Sequence, residues 1–202
     1  MLSLGCSFTY GDEVESEQTF TQVLADSLSV PAYNYGVSSF SYVHALLKAR
    51  NLEEQGVLDS LKPAYVVLGC WYGLPNRTIS PNPPIASKNM PFVAAHLVKD
   101  ESGLHIHPPS RTEHAFELIN IYRTTGPGLS FRKFMKIFMI APQYLNLILS
   151  GKQGKGRAGK PDPASMISDF EIYDYYFTGI EEIFSPYRAR IIVLYMPNSP
   201  NE

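Results

Sequence analysis

Cysteine is scarce in this chain: of 202 residues only Cys6 and Cys70 are cysteine, and only one, Trp71, is tryptophan. Two cysteines exclude a disulfide-dense framework and a cysteine-based zinc site. Both close apolar runs that read as strands, so two buried thiols are expected; a bridge would require those strands to be neighbours. Positive charge is not in excess either, since the formal net charge is -2. That excludes the basic footprint of a nucleic-acid binder, and no acidic tail is present. Long apolar runs are missing as well. The longest apolar stretch, 131–149, is broken by Arg132, Lys133, Lys136, Pro142, Gln143 and Asn146 and is too polar to span a bilayer. The N-terminus lacks the basic segment and sustained apolar core of a signal peptide. The expectation is a soluble, cytoplasmic protein with no membrane span, and no internal repeat is visible.

What is present is an ordinary globular composition, 45% hydrophobic and 18% charged, with 13 Tyr and 11 Phe. The length suits one domain over 1–202 with a real core. Apolar runs at 2–4, 32–35, 64–71 and 190–196 read as strands. The run at 64–71 is continuous, as in a parallel strand buried on both faces, and 190–196 reads as a buried strand. Between them Phe20, Val23, Leu24 and Leu28 share one helical face, and Val43, Leu46, Leu47 and Leu52 share another. Strand, helix, strand, helix, strand predicts an α/β fold with a doubly wound parallel sheet and helices on both faces, a three-layer arrangement. In such sheets the ligand crevice lies beyond the carboxyl ends of the strands.

The stretch best placed for chemistry is Gly5-Cys6-Ser7-Phe8-Thr9-Tyr10-Gly11. A serine just past a buried strand can hold its hydroxyl out of the sheet, and a following helix N-terminus would face an oxyanion beside it. By residues alone, a strand-to-helix turn in which Ser7 or Thr9 caps is the plainer account. The second stretch is Asn34-Tyr35-Gly36-Val37-Ser38-Ser39, a strand ending in glycine before a serine-rich helix start. It brings backbone N–H groups near the same edge. Alternatively Ser38 or Ser39 caps the helix and Gly36 serves only the turn.

Together these stretches resemble the SGNH hydrolases (the GDSL-type esterases and lipases), with Cys6 where many members have Asp. The resemblance covers roughly the first 75 residues and extends to the strand at 190–196. It implies a flavodoxin-like sheet, Ser7 as nucleophile, and the N–H groups of Ser7 and Gly36 as oxyanion donors. Ser39 stands where many members have another glycine. The family's third block supplies an asparagine amide, but here Gly73-Leu74 occupies the place of Asn-Asp. The nearest asparagine, Asn76, takes that role only if the loop is shifted. The plainer account of Asn76 is a turn residue after Pro75. The family also carries an Asp-x-x-His block after its last strand, which supplies the base and its orienting carboxylate. This sequence has none, which implies a chain truncated before that block.

Residues 78–163 read as an insertion or cap between the third and fourth strands. It begins irregular and proline-rich to about residue 110, and helices are expected near 113–122 and 131–149. A glycine-rich basic loop, 151–161, lacks the Gly-Lys-Ser/Thr of a phosphate-binding loop. His105 and His107, two apart on a possible strand, are weak metal-ligand candidates, so neither a metal nor a cofactor is expected. They are also the improvised general bases nearest to hand. His44, alone on its helix, is assigned no chemistry. A helix at 169–184 follows.

The resemblance thus implies a serine esterase acting on acyl or acetyl esters of carbohydrate or lipid, its partner a small-molecule or carbohydrate ester. The departures at Gly73-Leu74 and at the C-terminus favour, as the alternative, an inactive domain that binds a sugar or acyl group. A weaker third reading is a phosphate-binding module using Gly36 and the basic loop.

Overall fold

The first strand, β1 (Leu2–Gly5), is buried throughout and lies between two parallel neighbours in a computed structural model that describes residues 1–80, 94–109 and 167–196. The neighbours are β2 (Tyr33–Gly36) on one side and β3 (Tyr65–Trp71) on the other. With β6 (Arg190–Met196) beyond β3, the four parallel strands take the order β2-β1-β3-β6. The chain moves outward from β1 to β2, then crosses back past β1 to β3, so the winding reverses between β1 and β3.

Side chains alternate across this sheet and build two apolar layers. Leu2, Leu4, Val66 and Leu68 face one core, against α3 (Tyr42–Glu54) and α6 (Asp169–Phe184). Met1 and Val67 face the other, against Ala25, Phe20 and Leu24 of α2 (Phe20–Leu28). Helices therefore flank the parallel sheet on both faces, as expected of an α/β protein.

The helix starts follow from local chemistry. Thr19 caps α2 by accepting the Gln22 N–H at 3.2 Å, and Ser168 and Glu171 form a reciprocal capping box on α6. On α3 the buried stripe is Tyr42, Val43, Ala45, Leu46, Ala49 and Leu52. Gly179 of α6 lets Leu46 approach closely, because a Cβ there would stand 2.9 Å from Leu46 Cδ1. A short helix, α4 (Val57–Leu61), leads into β3.

Four expectations are corrected. Leu47 is exposed rather than inward, because α3 presents Ala45 and Ala49 to the core instead. On α2, Val23 and Leu28 are exposed and Thr21 and Ala25 are buried, since a short helix on a small core uses a narrow stripe. β6 is not buried on both faces: Val193 is 49% and Tyr195 55% exposed, because β6 pairs only with β3 and lies at the sheet's edge among the described strands. Finally, the span from 78 to about 110 is not irregular throughout. Residues 78 and 79 end a helix, α5 (Leu74–Ile79), and β4 (His96–Asp100) pairs antiparallel with β5 (Gly103–His107). That hairpin seats Leu97, Leu104 and Ile106 on the helical core and ties to α6 through Lys99–Glu171 at 2.6 Å. The proline count had concealed a two-residue turn with Gly103 at φ +103°.

The helices expected near 113–122 and 131–149 and the basic loop 151–161 lie outside the described residues. Among the described residues no helix is long and apolar enough to cross a membrane.

Candidate functional site

At the carboxyl end of β1 the chain turns at Gly5, passes the buried Cys6 and enters a one-turn helix, α1 (Ser7–Tyr10). Cys6 stands at the cap position with extended backbone, and Gly11 closes the turn at φ +90°. Ser7 is thus the first helical residue, half-buried, directly beyond the strand end. Its side chain makes no hydrogen bond among the described residues. In the first turn of a helix its N–H has no intrahelical acceptor.

α1 lies across the carboxyl-terminal parts of β1, β2 and β3 because glycines clear the space. Gly5 of β1 and Gly69 of β3 both abut the Thr9 hydroxyl, and a Cβ on either would overlap it. Gly36, the register partner of Gly5, lies against the backbone of Thr9 and Tyr10, where a Cβ would stand 2.7 Å from the Thr9 carbonyl carbon. Thr9 is fully buried in this three-glycine seat, and its Oγ1 has no hydrogen-bond partner among the described residues.

The structure brings Ser7 and Gly36 to the same edge. The Gly36 N–H is engaged, however: it donates to Asn34 Oδ1 at 2.9 Å. The Asn34 side-chain amide in turn donates to the Thr9 carbonyl at 2.7 Å, tying β2 to α1. Asn34 is the residue that reading the sequence overlooked. Its only signal was its place two residues ahead of a strand-ending glycine, where Asn bonds the backbone N–H two residues on. The loops beyond are joined as well, the Ser38 hydroxyl donating to Asp12 Oδ1. Ser39 adopts φ +71°, a left-handed backbone that glycine would take without cost.

Asn76 is not gathered into this group. It is exposed on α5 and makes no hydrogen bond to Ser7 or Gly36 among the described residues. The loop from β3 instead presents Trp71 and Tyr72, with rings 4.8 Å apart.

None of the four described histidines hydrogen-bonds Ser7. His44 completes the α3 cap, its Nδ1 accepting the Ser41 N–H at 3.3 Å and lying 2.8 Å from Ser41 Oγ. Burial, with the Arg77 charge second, lowers its pKa, so it is neutral at pH 7. His105 faces Asp100 at 3.6 Å, and His96 stands opposite His107 across the hairpin with ring centroids 5.2 Å apart. His114 lies outside the described residues. Among the described residues no three His, Cys, Asp or Glu side chains converge as metal ligands.

Cys6 and Cys70 are free and buried, as their positions at strand ends suggested. Burial pushes the Cys70 thiol up to about 11.

Comparison with family models, with curated proteins and with solved structures gave no match to this chain.

Proposed function

We propose that the chain is a serine hydrolase of the SGNH/GDSL type, acting on acyl or acetyl esters of carbohydrate or lipid with Ser7 as nucleophile. One observation carries this reading. Ser7 is accessible at the first position of α1, beyond β1 and beside the reversal of winding between β1 and β3, where parallel α/β sheets bind ligands.

In this reading Ser7 Oγ attacks the ester carbonyl and the Ser7 N–H faces the developing oxyanion. The Gly36 N–H joins it only by sharing or leaving its bond to Asn34. One oxyanion donor is typically worth about 10²–10³ in rate, so that competition matters. Asn76 contributes only if α5 or the Gly73 loop moves toward Ser7. The serine also needs a general base, worth about 10²–10⁴. None of the four described histidines fills that role as it stands.

The engaged Gly36 N–H, with no histidine on Ser7 among the described residues, favours a second reading, a catalytically inactive SGNH-like domain that keeps the crevice to bind a sugar or acyl ligand.

A fluorophosphonate probe separates the two. Covalent labelling at Ser7, abolished in Ser7→Ala and accompanied by hydrolysis of an acetyl ester, supports the hydrolase. Absence of labelling on folded protein rejects it in favour of the binding domain.

A further inference from the structure

Next to Ser7 the surface carries an aromatic group that the proposed chemistry does not use. Phe8 follows Ser7 directly and is 53% exposed, and its ring lies 5.9 Å from Trp71. Tyr72, 41% exposed, stands edge-on to the same indole. The indole is held in place: Gly73 lies so close beneath its benzene ring that a Cβ there would be 3.0 Å from Trp71 Cε3. Over the ring, 5.5 Å from its centroid, sits the Arg77 guanidinium.

Arg77 is the informative member. It is half-buried, and among the described residues no carboxylate lies within ion-pair distance of it. Among the described residues its one hydrogen bond is to the Phe40 carbonyl at 3.5 Å, the long limit for such a bond. Its other neighbour is the neutral His44. A guanidinium carries five donors and keeps its charge at any physiological pH. Partly withdrawn from water with no counter-ion among the described residues, it leaves donors available to an anion, and carboxylates and phosphates match its fork.

We infer that Phe8, Trp71, Tyr72 and Arg77 form a subsite for a ligand that joins a flat apolar group to an anionic group, an aryl carboxylate being the simplest case. The subsite rests on the proposed function only in its role: beside a nucleophilic Ser7 it would select esters bearing such a group. Aromatic faces take the apolar part by offset or edge contacts, and Arg77 takes the anion.

Trp71 is the chain's only tryptophan, so its fluorescence reports on this subsite without any catalysis. The test titrates the full chain with 3-phenylpropanoate and with its neutral counterpart, 3-phenylpropan-1-ol. The expected result is a saturable change in Trp71 emission with the carboxylate, and binding weaker by about tenfold with the alcohol. Arg77→Gln should bring the carboxylate down to the level of the alcohol, and Phe8→Ala should weaken both. Equal binding of acid and alcohol, or no change in emission with either, overturns the inference. The two wild-type titrations decide the matter even if a variant fails to fold. Repeating them on Ser7→Ala separates the two claims. Binding that persists there while wild-type shows no ester hydrolysis leaves the subsite standing without the hydrolase; hydrolysis without phenylpropanoate binding does the reverse.

Discussion

Asn34 and Gly36 are bonded side chain to backbone, Asn34 Oδ1 accepting the Gly36 N–H at 2.9 Å, and the same side chain donates to the Thr9 carbonyl at 2.7 Å. One amide thus fixes the end of β2 against α1 and so sets the position of Ser7. Asn34→Ala should lower stability by about 1–3 kcal/mol, the usual range for removing a partner and leaving polar groups unmatched. Asn34→Asp keeps the acceptor but loses the donor. Amide exchange at Gly36 should accelerate in the alanine variant and stay slow in the aspartate variant. Equal exchange in both would show that Asn34 does not hold this amide.

Glycine substitutions at the strand ends should split in opposite directions. Gly36→Ala places a methyl against the α1 backbone, which cannot yield as a flexible side chain would. A loss of about 1–3 kcal/mol in chemical denaturation is expected. Ser39 already sits at φ +71°, so Ser39→Gly should gain about 0.5–1 kcal/mol and Ser39→Val should lose stability.

Thr9 fills its glycine seat by shape, since its buried hydroxyl has no partner among the described residues. Thr9→Val should therefore leave stability unchanged or raise it by up to about 1 kcal/mol. A clear loss in thermal unfolding would mean that the hydroxyl is bonded after all.

The cysteines should be silent in the folded protein. Both are buried, and burial pushes the Cys70 thiol up to about 11. Since the thiolate is the reactive form, a thiol reagent at neutral pH should label neither until denaturant is added, and then both. Rapid labelling of the native chain would contradict this packing.

The Lys99–Glu171 pair should make stability depend on acid. Lys99 first, then Ser168, hold the Glu171 carboxyl at about 2, below its ordinary 4.5. A depressed carboxylate stabilises the fold above its unfolded value, and that contribution fades as pH falls from about 4.5 toward 2. Glu171→Gln should therefore be less stable than wild type near pH 7, with the difference closing over that acid range. A constant difference across the range would show that ionisation of Glu171 contributes nothing to stability.

Much of the fold was legible before any coordinates. Strands ending at Gly36 and Trp71 and the helices at 42–54 and 169–184 follow from runs and periods that need no partner to be read. The hairpin was not, because its strands are short and the prolines around them masked the alternation of Leu97, Leu104 and Ile106 against polar neighbours. The edge character of β6 was hidden for a different reason: an apolar run shows what a strand is made of, and pairing partners decide which faces are covered.

At the candidate site the sequence by itself determined where chemistry could sit. A serine two residues beyond a buried strand, glycines closing the first two strands and a lone tryptophan closing the third are properties of neighbours along the chain. Only the tertiary structure decided that Thr9 occupies the space those glycines leave, that Asn34 holds the Gly36 N–H, and that Arg77 lies over Trp71 with no carboxylate of the described residues beside it. Each of these joins residues brought together by strand order and helix packing, and hydrogen bonds and ring contacts act over a few ångströms of space whatever the separation along the chain.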